Sequence, residues 1–498
     1  MSEQTCSIGQ LQSLPAAENS TVSQAPLPPY SSRWSLFVNV VCATILIAAL
    51  GDILWVSMTF PKLQRFEEPD RALELMVGRM MEAQDALRRA PVWQQWLAEW
   101  TMGSEDETPG QAIQWYRELV ETTDDPLSKL RLAILLGEFG REAAALVEVK
   151  GWQDRGTSAV LFGQLIEAAY GAQPLNREQE VELQALLAET LPTGWFYDHL
   201  AARLAQRADN QGLLVTVKNQ SVIKEDQVQQ RIRPLLLFEL ICLVIGSVML
   251  LGIVRLKGQR VDILRLHSPG VPPPWSGGNA AAVILRGGAL GVIATSVLLF
   301  APSIEHASVS ALAIPLANLP LLAIAYVQLL KPSGLTFLNG FGLHIKRADF
   351  GRLVWIIFAV VAAGIWGEWM MGRTAEFLNL NNHWTEWFDE DLVWASPPVL
   401  VSSLLQYVIF APIFEELAFR GLLYAMLRRR FSFFPAALIS AGIFALAHGY
   451  SLIGFISVLW SGFLWAWIYE RTGSLVPSMA AHAMNNLLVC LTVMALLR

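Results

Sequence analysis

Nine apolar stretches constrain this chain more than any other feature. Each approaches the roughly 20 residues that a helix needs to cross a bilayer. They fall at about 35–59, 235–254, 280–301, 309–330, 353–371, 399–427, 433–449, 452–469 and 475–497. The run at 433–449 is short, so it either tilts or shares its span with a neighbour. Backbone polar groups inside hydrocarbon must be satisfied within the protein, so repeated runs of this kind commit the chain to helices. The expected fold class is all-α: a polytopic membrane helical bundle of about nine spans. Composition agrees, since 16% of residues are charged where a soluble protein carries roughly a quarter.

The charge is unevenly spread. Residues 61–233 hold 19 Lys and Arg against 27 Asp and Glu, while the rest of the chain is nearly neutral. An acidic, polar segment is therefore inserted between the first span and the others. Within it LSKLRLAILLGEFGREAAALVEV has apolar positions three and four apart, interrupted by glycine, which predicts paired helices. A small bundle or a tetratricopeptide-like array would satisfy that pattern, although no fixed period is present. Its tryptophans read as core, and recognition is its expected role.

The domain organisation expected is a disordered tail over 1–33, a first transmembrane helix over 34–60, a soluble helical domain over 61–233, further transmembrane helices over 234–398, and a last membrane core over 399–498. The tail is polar, with a proline-rich APLPPY near its end, and lacks the basic start and apolar stretch of a cleavable signal. Cys6, Cys42, Cys242 and Cys490 form no framework, and three of them lie in apolar runs, where a small buried hydrophobe is the plain reading.

Orientation follows from Lys and Arg in the connections. With the N-terminus in the cytoplasm, 13 basic residues lie inside (Arg33, Arg255, Lys257, Arg260, Arg265, Lys331, Lys346, Arg347, Arg352, Arg428, Arg429, Arg430 and Arg471), against Arg373 and Arg498 outside. The segment 61–233 is then extracytoplasmic. A bacterial inner membrane is the expected location, with the lipid bilayer as partner. The acidic balance and the lack of basic patches interleaved with aromatics exclude a nucleic-acid partner.

An ionisable group at mid-bilayer costs at least about 2.5–3.5 kcal/mol on insertion scales. Asp52, Glu239, Arg286 and Glu368 admit local pairing or snorkelling. The stretch APIFEELAFRGLLYAMLRRR at 411–430 is different. Residues four apart on a helix share a face, so Glu416 and Arg420 make an ion pair. Glu415 is rotated about 100° from Glu416 and is left free to face a cavity. Two of the seven histidines fall in spans, His448 in GIFALAHGY and His482 in SMAAHAMNNLL, with Asn486 one turn beyond His482. Counting from the ends expected in the cytoplasm, Glu415 lies about 19 Å deep, His448 about 22 Å and His482 only about 10 Å. The third agrees with the others only if the 399–430 helix extends beyond the membrane or the last span starts deeper.

One carboxylate, two imidazoles and a carboxamide are parts for hydrolysis. A glutamate in a partly dry cavity is a better base near neutral pH, so Glu415 with His448 could deprotonate a water that attacks a peptide carbonyl. His482 and Asn486 could donate to the developing oxyanion. Alternatively Glu415, His448 and His482 hold Zn²⁺, which would activate the water. These residues leave both routes open. Other hydrolase signatures are missing: there is no HExxH, Ser461 in LWSGF lacks the first glycine of GxSG, and the LGD at 50–52 has no second aspartate motif.

Taken together, EELAFR (Glu415, Glu416, Arg420), FALAH (Phe444, His448) and HAMNN (His482, Asn486) resemble the EExxxR, FxxxH and HxxxN motifs of the CPBP (ABI) family of intramembrane proteases, which includes the type II CAAX prenyl endopeptidases. The resemblance covers about residues 399–497 and implies an all-helical core with endopeptidase activity on a membrane-anchored protein or peptide. It implies Glu415 as general base, His448 activating water with it, His482 and Asn486 stabilising the oxyanion or helping to bind a metal, and Glu416, Arg420 and Phe444 in support. The insertion at 61–233 departs from the minimal core and leaves the substrate open, and because many bacterial members of that family have no prenylated substrate, CAAX cleavage does not carry over. Two other classes compete: a non-proteolytic membrane scaffold or peptide-sensing or immunity protein using the external domain, and a proton-relaying transporter, for which no inverted repeat is apparent.

Overall fold

The computed structural model describes residues 33–59, 62–96, 107–152, 156–258, 264–266, 270–275, 277–300, 312–380 and 382–498. The tail expected over 1–33 lies, but for Arg33, outside them. Among the described residues there are helices and no strand, and the fold is an all-α polytopic membrane bundle with an inserted helical domain. Among the described residues eight helices are long and apolar enough to cross a membrane. A ninth apolar helix is shorter.

α1 (Arg33–Thr59) is the first span. The inserted domain follows as α2 (Pro69–Arg89), α3 (Glu107–Thr123), α4 (Pro126–Glu138), α5 (Glu142–Lys150), α6 (Thr157–Tyr170), α7 (Arg177–Thr190) and α8 (Trp195–Arg207). Local chemistry sets the ends of these helices. α2 starts at a proline and carries Asp70 in its first turn and Arg88 and Arg89 in its last, which complements the helix dipole. Asp125 caps α4 by accepting from the Ser128 amide at 2.7 Å, and Asn176 with Gln179 forms a capping box at the start of α7.

The core of this domain does not stop at its own boundary. Leu73, Val77, Tyr116, Leu135, Ile166 and Leu200 are buried in one cluster that continues through Trp384, Phe388 and Leu392 into Val493 and Leu497 of the last span. Phe66 stacks on Trp384 with ring centroids 5.2 Å apart. The domain is thus seated on the end of the membrane bundle by shared apolar burial.

α9 (Gln211–Gly258) is one helix of 48 residues, about 72 Å long. Its first half belongs to the inserted domain and its second half is a span, so the division expected at 233/234 falls inside a continuous helix. The remaining spans are α10 (Gly277–Phe300), α11 (Ala313–Ser333), α12 (Phe350–Phe377), α13 (Pro397–Leu427), then the short α14 (Phe433–Leu446), α15 (Leu452–Thr472) and α16 (Val476–Leu497). With 14 residues α14 reaches about 21 Å, less than the roughly 30 Å of hydrocarbon. It returns through the turn 447–450 into α15.

Two features place the site. α13 carries π-helical stretches at Gln406–Phe410 and Glu416–Tyr424, a geometry concentrated at functional positions. The α15–α16 turn, in addition, is sunk into the protein. Thr472, Ser474 and Leu475 are fully buried, the Ser474 hydroxyl donates to the Gly342 carbonyl at 2.5 Å and the Leu475 amide to the Phe341 carbonyl at 3.3 Å. Gly342 has φ +64° and a Cβ there would lie 2.3 Å from the Gly473 carbonyl oxygen, so only glycine permits this approach.

Candidate active site

The buried Glu416 organises the centre. Its Oε1 accepts from Arg420 Nη1 at 2.8 Å and from His482 Nδ1 at 3.1 Å. Both members of the ion pair are completely buried, and such a pair is tolerated only where geometry and neighbours compensate for lost hydration. Here the neighbours are aromatic faces. The Arg420 guanidinium lies 4.3 Å from the Phe444 ring centroid and 5.0 Å from that of Trp465, which offsets part of the desolvation of a cation. Gly462 makes the space: a Cβ there would sit 2.7 Å from Arg420 Nη2.

His482 is fixed on three sides. Trp465 stacks on it at 3.8 Å with an interplanar angle of 17°, and Phe444 meets it edge-on at 6.1 Å. Because a carboxylate accepts at Nδ1, that nitrogen carries the proton, and in the neutral ring Nε2 is left with its lone pair. Nε2 lies 3.8 Å from Oε2 of Glu415. The depth mismatch expected from counting residues thus does not separate these two groups. The helix α16 begins at Leu475, which is buried in the protein.

Glu415 is the more open carboxylate, with 28% of its side chain exposed. Adjacent in sequence, the two glutamates have different surroundings, as the helical rotation between them requires. His448, in the turn after α14, bonds through Nδ1 to the Phe444 carbonyl at 2.8 Å. Its Nε2 is likewise unprotonated in the neutral ring. The Phe444 ring lies against His448 at 4.6 Å as well as against His482, so one phenyl ring spaces both imidazoles.

Asn486 is held differently from the other site residues. Its Nδ2 donates to the Tyr407 carbonyl at 2.8 Å, inside the first π-helical stretch of α13. A π insertion displaces a carbonyl from the regular ladder, and an outside donor satisfies it. Asn486 therefore braces α13 against α16 with one of its two amide protons. Of the other intramembrane polar residues, Arg286 donates to Asn39 Oδ1 and Ser35 Oγ, both at 2.8 Å, which is local pairing with α1. Glu368 lies 3.5 Å from Ser457 Oγ, on α12 and outside this cluster.

A metal was one of the two routes open from sequence. The tautomers suit ligation, because each histidine offers Nε2 with Nδ1 engaged behind it. The spacing does not. Among the described residues no group of three His, Cys, Asp or Glu side chains is arranged to hold a metal ion, so no step is routed through one.

Two parts of the site have no counterpart in the sequence reading. One is Trp465, whose place in an ordinary apolar span conceals its contact with both His482 and Arg420. The other is Glu386, which accepts from the Ser451 amide at 3.1 Å, from the Ser451 hydroxyl at 3.0 Å and from Lys62 Nζ at 3.1 Å. It ties the turn after His448 to the root of the inserted domain. The aromatic spacing of HWTEWFDEDLVW at 383–394 was the available signal that this acidic loop is a packed platform.

Residues 397–488 match the family described as "Type II CAAX prenyl endopeptidase Rce1-like". Over 99 residues the chain is 33% identical to "Putative membrane peptidase YdiL" of Bacillus subtilis (strain 168), an overlap of 20% of this chain and 38% of that relative. The chain therefore spans well under half the length of the relative. No solved structure matches it.

Proposed function

We propose, from the match of residues 397–488 to the type II CAAX prenyl endopeptidase Rce1-like family of CPBP proteases, that this protein is an intramembrane endopeptidase whose nucleophile is a water activated by Glu415. A water donates one proton to the Glu415 carboxylate and the other to His448 Nε2, which leaves its lone pair aimed at the scissile carbonyl carbon. On attack, Glu415 takes the first proton and the carbonyl oxygen becomes an oxyanion. The second amide N–H of Asn486 is its donor. The proton passes from Glu415 to His482 Nε2, whose imidazolium is balanced by Glu416, and then to the leaving amine as the C–N bond breaks. A paired base and acid of this kind contributes typically 10²–10⁴-fold to rate. The observation that carries the reading is the placement of His482 between Glu416 at Nδ1 and Glu415 at Nε2. The substrate class is a membrane-anchored protein or peptide.

The test uses full-length protein in proteoliposomes with a panel of fluorogenic peptides carrying a membrane anchor. Cleavage by the wild type and its loss in Glu415→Gln, with the variant folded and inserted, is the expected result. Undiminished cleavage by Glu415→Gln rejects the assigned base. A second reading, a non-proteolytic sensor working through the inserted domain, draws on the continuity of that domain's core with the membrane bundle. It requires Glu415→Gln to retain full biological activity.

A further inference from the structure

At the end of α2 the chain turns into a short helical segment, residues 92–96, that presents apolar side chains away from the protein. Val92 is 79% exposed, Trp93 58% and Trp96 63%. Two neighbouring contacts fix the height of this segment. Arg89, the last residue of α2, is ion-paired with Glu225 of α9. Five residues later Gln94 Oε1 lies 3.4 Å from Gln229 Nε2. From Glu225 to Gln229 α9 advances one turn toward its membrane-spanning half, so the segment steps down toward the bilayer. The apolar run of α9 starts at Leu235, about 9 Å beyond Gln229 along the axis. The polar layer of a bilayer is about 5–8 Å thick on each side, and Arg231 and Arg233 occupy that interval with exposed side chains. Gln94 is thus at the outer edge of the headgroup layer, within the reach of an indole side chain from it.

Indole is the side chain that this layer favours, because an apolar ring and a polar N–H face two environments at once. Two large rings left in water beside a membrane would be a continuing cost; the same rings at the acyl boundary are stabilised. We propose that Val92, Trp93 and Trp96 form an interfacial anchor that inserts into the leaflet facing the inserted domain, with lipid as its partner. The domain then has two attachments to the membrane plane. One is the platform at 384–394, beside Phe66 at the start of α2. The other is this anchor just past the end of α2, about 31 Å away along that helix.

Site-directed spin labelling of the full chain in lipid nanodiscs tests the proposal without any assay of activity. In a background with Cys6, Cys42, Cys242 and Cys490 replaced, a nitroxide is placed at Trp96→Cys with Trp93 retained, and at Glu178→Cys on exposed α7 as control. At position 96 the ratio of oxygen to water-soluble nickel-chelate collisions should exceed the control by at least about threefold, as it does at the boundary between water and hydrocarbon. A ratio equal to the control overturns the proposal. So does protection from both reagents with spin–spin broadening that grows with the number of chains per disc, since a second copy would then cover the patch. Should the label itself displace the anchor, quenching by lipids brominated near the headgroup supplies a second measurement. The fluorescence difference between wild type and Trp93→Phe/Trp96→Phe should be strongly quenched; an unquenched difference overturns the proposal as well.

Discussion

Lys62 Nζ lies 3.1 Å from Glu386 Oε1, across 324 residues of sequence. Glu386 is largely buried, and its other bonds hold Ser451, three residues after His448. The root of the inserted domain, the platform loop and the turn bearing a site histidine therefore share one carboxylate. Removing Glu386 takes an acceptor from three donors, of which the Ser451 hydroxyl keeps Asn382 Oδ1 at 3.4 Å, and a buried unsatisfied group costs about 1–3 kcal/mol. Glu386→Ala should speed amide exchange over 447–455 by at least about tenfold. Lys62→Ala should do so less, since Glu386 keeps both Ser451 bonds. Equal effects from the two variants would remove the carboxylate from its central place.

A glutamate-activated water and a metal-activated water differ in their response to chelation. With Glu415 as base, cleavage by purified protein should persist in excess chelator and zinc should be well below one per chain. Loss of cleavage on chelation, restored by zinc alone, would place Glu415, His448 and His482 around an ion after a local rearrangement.

The Glu416–Arg420 pair is an all-or-none unit. Breaking one partner of a fully buried ion pair costs about 3–5 kcal/mol, so Glu416→Ala and Arg420→Ala should each yield markedly less folded protein. Gly462→Ala should act in the same direction through Arg420, because the added methyl meets Nη2 at 2.7 Å. Thermal unfolding in detergent measures all three. A melting point for Gly462→Ala equal to wild type would show that the guanidinium can move aside.

Trp465 positions His482 without bonding to it. Trp465→Leu keeps the site apolar and removes the stacked face, so kcat should fall by about tenfold or more while KM changes little. Trp465→Phe should recover part of the loss. A change confined to KM would mean that Trp465 contacts substrate instead.

In the inserted domain His199 stacks on Trp195 and lies 3.2 Å from both Asp85 and Glu138. Burial alone would lower its pKa, yet the hydrogen-bonded carboxylates hold it at about 9. Both carboxylates are in turn held below their usual range, the bonds to His199 outweighing their own burial. A raised histidine stabilises the fold fully below its unfolded pKa, near 6.5, and ceases to do so as pH rises through about 9. The depressed carboxylates stabilise above roughly pH 4.5 and lose that contribution as pH falls. The domain should therefore be most stable near pH 5–6.5 and soften on the alkaline side. Amide exchange in α8, read against pH, checks this, and His199→Gln should flatten the alkaline limb.

Much of this protein was legible in its sequence because the bilayer is a demanding solvent. Apolar runs of spanning length, the acidic insertion between them and the few ionisable residues that break them could all be read directly, since each carries a cost that must be explained. The different surroundings of Glu415 and Glu416 followed from helix periodicity alone, as did the pairing of Glu416 with Arg420. Other relationships needed tertiary structure. Residue counting set His482 apart from Glu415, and only the packing of α16 against α13 brings the two to 3.8 Å. The π-helical stretches of α13, the stacking of Trp465 and the Glu386 junction join segments far apart in the chain. Cost per residue is a local quantity that composition and period reveal, whereas which faces meet depends on packing among helices whose outer surfaces are equally apolar.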